Sequence, residues 1–143
     1  MERRAAIAKA LYQRRVHFAE TDAAGIVHFS IFFRYMEEAE HAVWRAAGLD
    51  IFADHEQQSW PRIATQFDFK APLKFQDEFE VHTEIAAVTR STIKWAHTVM
   101  RGDVVIGTGS VTAVYVTKDR DGGMKSADLP PEIISKLRSA LSA

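Results

Sequence analysis

The chain has 143 residues, of which 47% are hydrophobic and 26% charged, with a formal net charge of −1. That is the profile of one ordinary globular domain, and it excludes disorder, low complexity and the basic field that nucleic-acid binding needs. With no cysteine, disulfides, thiolate metal sites and a cysteine nucleophile are excluded, and no apolar run approaches the roughly 18–20 residues of a membrane span.

Residues 1–13 read as a short solvated extension, with arginines at both ends of Met1–Arg15 and only Glu2 as an acid. The domain is expected over 14–143, in the cytoplasm by default. Val16, Phe18 and Glu20 alternate with His17 and Ala19, which predicts a strand over about 14–20. Thr21 to Gly25 break the alternation as a turn-prone loop. From Ser30 the period becomes helical. Ile31, Phe32, Tyr35, Met36, Ala39, Val43, Ala46 and Ala47 form one face, and Arg34, Glu37, Glu38, Glu40, His41 and Arg45 largely the other. Ser30 is the expected N-cap and Gly48 the stop, giving a helix over about 31–47.

A short second helix is expected within 50–60. Beyond Pro61, Ile63, Thr65, Phe67 and Phe69 alternate as a strand that stops near Pro72. Further strands begin at Phe79 and Ile93, and Arg101–Gly102–Asp103 reads as a hairpin into a long final strand, Val104 to Thr117. Gly107 and Gly109 within it predict a bulge or a close backbone approach. A polar loop over 119–128 precedes an amphipathic helix opened by Pro130 and Pro131. This order predicts an α+β domain: an antiparallel sheet of about five strands packed on one long helix.

No phosphate-binding glycine loop, zinc-binding histidine helix or nucleophile elbow is present. Glu37 and His41 read as a solvated helical pair, because no third metal ligand is suggested. Asp22 carries more information. It follows an apolar strand, precedes a long helix, and is surrounded by Ala23, Ala24, Gly25, Ile26 and Val27. A carboxylate beside the amide-rich, positive start of a helix has the minimum equipment for acyl transfer.

The run Val16-His17-Phe18, then Glu20 through His28, then Phe32-Phe33-Arg34-Tyr35-Met36-Glu37 resembles the N-terminal signature of hotdog-fold acyl-CoA thioesterases. The closest branch is the 4-hydroxybenzoyl-CoA thioesterase family. The resemblance implies a hotdog fold, with Asp22 as the catalytic carboxylate and the backbone amide at Phe29 as the oxyanion contact. It places Gly25, His28 and Arg90 at the substrate, the last near the coenzyme A phosphates, although Thr89 and Ser91 stand where that branch carries basic residues. It further implies no cofactor beyond coenzyme A within the substrate, no metal, no nucleic-acid or membrane partner, and a homodimer or a tetramer of two dimers. Two other readings are carried beside it. One is a non-catalytic acyl-CoA or acyl-carrier binder. The other is a small dehydratase or isomerase using Asp22 and His28 as an acid–base pair.

Overall fold

The computed structural model describes residues 10–141. In chain order its elements are β1 (Ala10–Arg15), α1 (Ile31–Ala46), β2 (Gln58–Ser59), β3 (Arg62–Phe69), β4 (Glu78–Val88), β5 (Thr92–Arg101), β6 (Val104–Val114), β7 (Val116–Lys118), β8 (Met124–Ser126) and α2 (Pro131–Leu141). Five strands form an antiparallel sheet in the order β1-β4-β5-β6-β3, and β2-β7-β8 form a small second sheet. This is the hotdog architecture of a sheet against one long helix. Among the described residues no helix is long and apolar enough to cross a membrane.

The register explains which face meets α1. Val81, Val99, Gly107 and Phe69 lie side by side; so do Thr83, His97, Gly109 and Phe67, and Ile85, Trp95, Val111 and Thr65. Opposed residues share a face and alternate residues repeat it, so all twelve line one surface. Onto that surface α1 lays Phe32, Tyr35, Met36, Ala39, Val43 and Trp44, all buried. Phe32 stacks on Phe67 with ring centres 4.8 Å apart. The Phe67 ring needs room beneath it, and a Cβ built on Gly109 would stand 2.7 Å from both Phe67 Cδ1 and Met36 Sδ. Both readings of the two glycines therefore hold, since the β5–β6 register also shifts between Val99 and Met100.

α1 ends at Ala46, and Gly48 takes φ +73 just beyond it, the left-handed conformation that releases a helix into a loop. Its start differs from expectation. Ser30 makes no side-chain cap bond; its hydroxyl lies 2.8 Å from His28 Nδ1 instead. The first strand is also displaced. It runs over Ala10–Arg15, pairing Ala10 with Thr83 through Arg15 with Glu78, so residues 10–13 belong to the sheet and not to an extension, and residues 1–9 lie outside the described residues. The apparent alternation at Phe18–Glu20 is a 3-10 turn. Residues 51–57 form turns in place of a second helix. The final strand breaks at Tyr115, because β7 leaves the main sheet to pair with β2 and β8.

Glu40 overturns the simple two-faced helix. It is 1% exposed, buried on the stripe where the sequence puts core residues. Burial pushes its carboxyl above the ordinary carboxylate range, and Arg62 Nη2 and the Trp44 indole N–H, which both donate to its Oε2 at 3.0 Å, oppose that rise.

Candidate active site

Asp22 sits at the start of a tight turn. Its N–H donates to Ile26 O at 2.9 Å, and Gly25 N–H returns to Asp22 O at 3.0 Å. Gly25 takes φ +80, where a Cβ would be strained. The flanks are fastened to rigid neighbours. Val27 N–H donates to Leu73 O at 2.8 Å, and His28 N–H to Glu20 O at 2.9 Å. The half-buried Asp22 carboxylate accepts the Ala24 N–H through Oδ1 at 2.8 Å, an Asx turn that fixes its direction.

The turn is braced by an ionic cluster behind it. Arg14 donates from Nη1 and Nη2 to the two Glu20 oxygens at 2.8 and 2.6 Å, and from Nε to Glu38 Oε1 at 3.0 Å. Glu20 also accepts the Tyr35 hydroxyl and the His17 N–H, each at 2.8 Å. Burial alone would raise the Glu20 carboxyl, but the bonds from Arg14, His17 and Tyr35 outweigh it and hold it below the ordinary range. The Tyr35 phenol is pushed up by burial and by the Glu20 carboxylate it faces. Thus strand β1, helix α1 and the loop meet at one carboxylate two residues before Asp22.

In front of the turn lies an open cleft of about 480 Å³, lined by Asp22, Ile26, Val27, Phe29, Phe32 and Phe69, and closed by Lys70, Ala71 and Pro72. Phe29 borders it just before α1. Its N–H has no acceptor among the described residues, whereas Val27, His28, Ser30 and Ile31 N–H groups are all engaged. Asp22 and Phe29, the residue whose amide is unengaged, therefore both line one apolar cleft beside a helix start. The arrangement can deliver or activate an oxygen nucleophile and receive negative charge on a neighbouring oxygen.

The expected residues separate into two groups. Asp22 and Phe29 line the cleft, and Gly25 shapes the turn that presents them. His28 does not line the cleft; its Nδ1 is occupied by the Ser30 N–H and hydroxyl, at 3.2 and 2.8 Å, which gives no support to an Asp22–His28 acid–base pair. Arg90 is elsewhere. It follows the far end of β4, whose near end adjoins the Asp22 side through Val16 N–H to Asp77 O, and eleven strand residues span roughly 33 Å. There Arg90 pairs with Asp128 at 2.5 Å and is largely exposed. Phe69 and Lys70 were not singled out from the sequence as cleft residues, although the strand alternation and the following Pro72 mark where β3 delivers them. Among the described residues no group of three or more His, Cys, Asp or Glu side chains could hold a metal.

The chain is similar to several known proteins. Residues 24–108 match the family model described as the Thioesterase superfamily. A protein of Aquifex aeolicus that bears the provisional name of an esterase is 31% identical over 129 residues, covering 90% of this chain and 97% of its own. A 1,4-dihydroxy-2-naphthoyl-CoA hydrolase of Parasynechococcus marenigrum is 40% identical over 79 residues, about half of each chain (49% and 52%). The crystal structure of a hypothetical protein from Aquifex aeolicus superposes with a TM-score of 0.82 at 30% identity, covering 90% of this chain and 98% of that one.

Proposed function

The chain belongs to the thioesterase superfamily, and from that premise we propose that it hydrolyses an acyl-CoA thioester to a carboxylic acid and free coenzyme A, using Asp22 as its catalytic carboxylate. The observation that carries this reading is the cleft shared by Asp22 and Phe29, whose N–H is unengaged just before α1.

A thioester asks little of its enzyme at the leaving group. The departing thiolate has a conjugate acid of pKa about 8.5 by analogy with cysteine, so it leaves without strong protonation. Two tasks remain. The carbonyl oxygen lies against the Phe29 N–H, which takes up the charge of the tetrahedral adduct; one such donor contributes about 10²–10³ in rate. Asp22 then acts in one of two ways. It attacks the carbonyl carbon, expelling the thiolate and leaving a mixed anhydride that water opens, or it takes a proton from a water that attacks directly. The aromatic walls, Phe29, Phe32 and Phe69, seat the acyl group.

The working unit is a pair of copies or a pair of such pairs, acting in the cytoplasm. β3 has a neighbour on one side only, and it exposes 60% of Ile63 and 53% of Phe69. An unprotected edge of this kind is a template for another strand. Pairing two β3 edges antiparallel sets the Arg62 and Arg90 end of one protomer beside the Asp22 end of its partner, which is how Arg90 reaches coenzyme A.

The test is release of free thiol from aryl, short-chain and long-chain CoA esters. The wild-type protein cleaves at least one, and Asp22→Asn loses several orders of magnitude in kcat while keeping its melting temperature. Near-native turnover by Asp22→Asn removes the carboxylate from the mechanism.

A further inference from the structure

Helix α1 is capped by a residue type outside the usual set. Ser30, the expected N-cap, already has helical backbone angles of φ −68 and ψ −22 and makes no cap bond of its own. The capping geometry belongs to His28. Its carbonyl accepts the Ile31 N–H at 2.9 Å. Its Nδ1 accepts the Ser30 N–H at 3.2 Å and lies 2.8 Å from the Ser30 hydroxyl. A side-chain acceptor for the second N–H, together with a carbonyl that opens the helical bonding, marks an N-cap. A backbone N–H can only donate, so Nδ1 offers a lone pair, and the ring that does this is neutral with its proton on Nε2. The imidazole also packs on the Phe29 ring, 4.5 Å between centres, and the His28 N–H is tied to Glu20 O at 2.9 Å.

This cap decides which amide is left over. Counted from His28, the first three N–H groups belong to Phe29, Ser30 and Ile31. The ring takes the second and the carbonyl the third, so the Phe29 N–H is the one without an acceptor among the described residues. Its direction is fixed as well. The His28–Phe29 peptide is trans, and in a trans peptide the C=O and N–H point opposite ways. Holding His28 O toward Ile31 therefore turns the Phe29 N–H away from the helix. The charge of the cap matters as much as its geometry. Aspartate is a strong N-cap and could bond the same N–H, but its negative charge would offset the positive end of the helix. A neutral imidazole closes the first turn and leaves that field for an oxygen that becomes negative only during reaction.

We propose that His28 is a positioning residue: as a neutral cap of α1 it aims the Phe29 N–H and reserves the positive helix end for the oxyanion of the tetrahedral adduct. The proposal deepens the thioesterase reading and rests on it.

The experiment measures kcat, KM and Tm for the wild-type protein, His28→Asn, His28→Asp and His28→Leu. The substrate is the CoA ester that the wild type cleaves fastest, at about pH 8, where carboxylates are ionised. Asparagine puts a neutral oxygen where Nδ1 stands and keeps kcat within about threefold of wild type. Aspartate keeps the bond and adds a charge. Its Tm equals or exceeds that of the wild type, yet kcat falls by about ten- to a hundredfold with KM within about twofold, because the loss is confined to the transition state. Leucine removes the acceptor and lowers both Tm and kcat. A cap with a purely structural role would make kcat follow Tm, with aspartate at least as fast as wild type. That ranking overturns the inference, as does an asparagine variant as slow as the leucine one. No cleavage of any CoA ester by the wild type refutes the parent reading instead.

Discussion

Replacing Arg14 with methionine tests whether the ionic cluster behind the Asp22 turn stabilises the fold. The Arg14 and Glu20 side chains are only 13% and 14% exposed, so solvent screens their pairing little. Methionine keeps much of the stem's packing but removes two guanidinium bonds to Glu20, two to Glu38, and a cation–π contact 5.1 Å from the Tyr35 ring. Leaving a buried charge without its partner costs about 3–5 kcal/mol. Glu20 retains the Tyr35 hydroxyl and the His17 N–H, which places the loss near the lower figure, about 3 kcal/mol or about 10 °C in Tm for a chain of this size. The pH dependence follows from the sign of the Glu20 shift. Its carboxyl is held below the ordinary value of 4.5, so its contribution is fully present above that value and is lost as pH falls through the lower folded value. In Arg14→Met burial dominates and the carboxyl moves upward. Urea unfolding of the two proteins should therefore show a constant gap from pH 6 to 8 that narrows below about pH 5. A gap under about 1 kcal/mol at pH 7, or one that persists unchanged at pH 3, refutes this account of the cluster.

Three further outcomes are expected. Single-turnover hydrolysis in ¹⁸O-labelled water puts label into the Asp22 carboxylate where an anhydride forms and water opens it at the Asp22 carbonyl, whereas a general base never labels Asp22; mass spectrometry of the peptide carrying Asp22 reads the label. Gly25→Ala, at φ +80, strains the turn by about 1–2 kcal/mol and lowers kcat more than it raises KM, and an unchanged kcat would show that the turn does not aim the carboxylate. Arg90→Ala leaves Tm within about 1 °C, since its pairing with Asp128 is solvent-exposed; it raises KM for CoA esters and spares esters of simpler thiols, whereas equal losses on both would count against a nucleotide contact.

Much of the fold was legible because periodicity reports burial. The apolar residues from Phe32 to Val43 trace the buried stripe of α1, and Gly48 marks its end. Glu40 was misplaced because local pattern cannot show a charge satisfied by Arg62, twenty-two residues away. The first strand was misplaced because alternation through Val16, Phe18 and Glu20 is also produced by a 3-10 turn in which Glu20 folds back onto the His17 N–H. The small second sheet has strands of two or three residues, too short to carry a period. At the site, the order of residues around Asp22 exposed the turn and the helix start. It could not show that Arg90 stands at the opposite end of the sheet, because which ends of antiparallel strands coincide is fixed by pairing register and not by spacing along the chain.

Phe67 rests on Gly107 and Gly109 and stacks against Phe32, a wall of the Asp22 cleft. Neither glycine lines that cleft, yet their missing side chains set the depth of the Phe67 ring. The cleft's dimensions can thus be retuned from behind its wall. A methyl group added on β6 would lift Phe67 toward the helix and press on Phe32, and a smaller residue in place of Phe67 would leave Phe32 room to settle inward and widen the cleft.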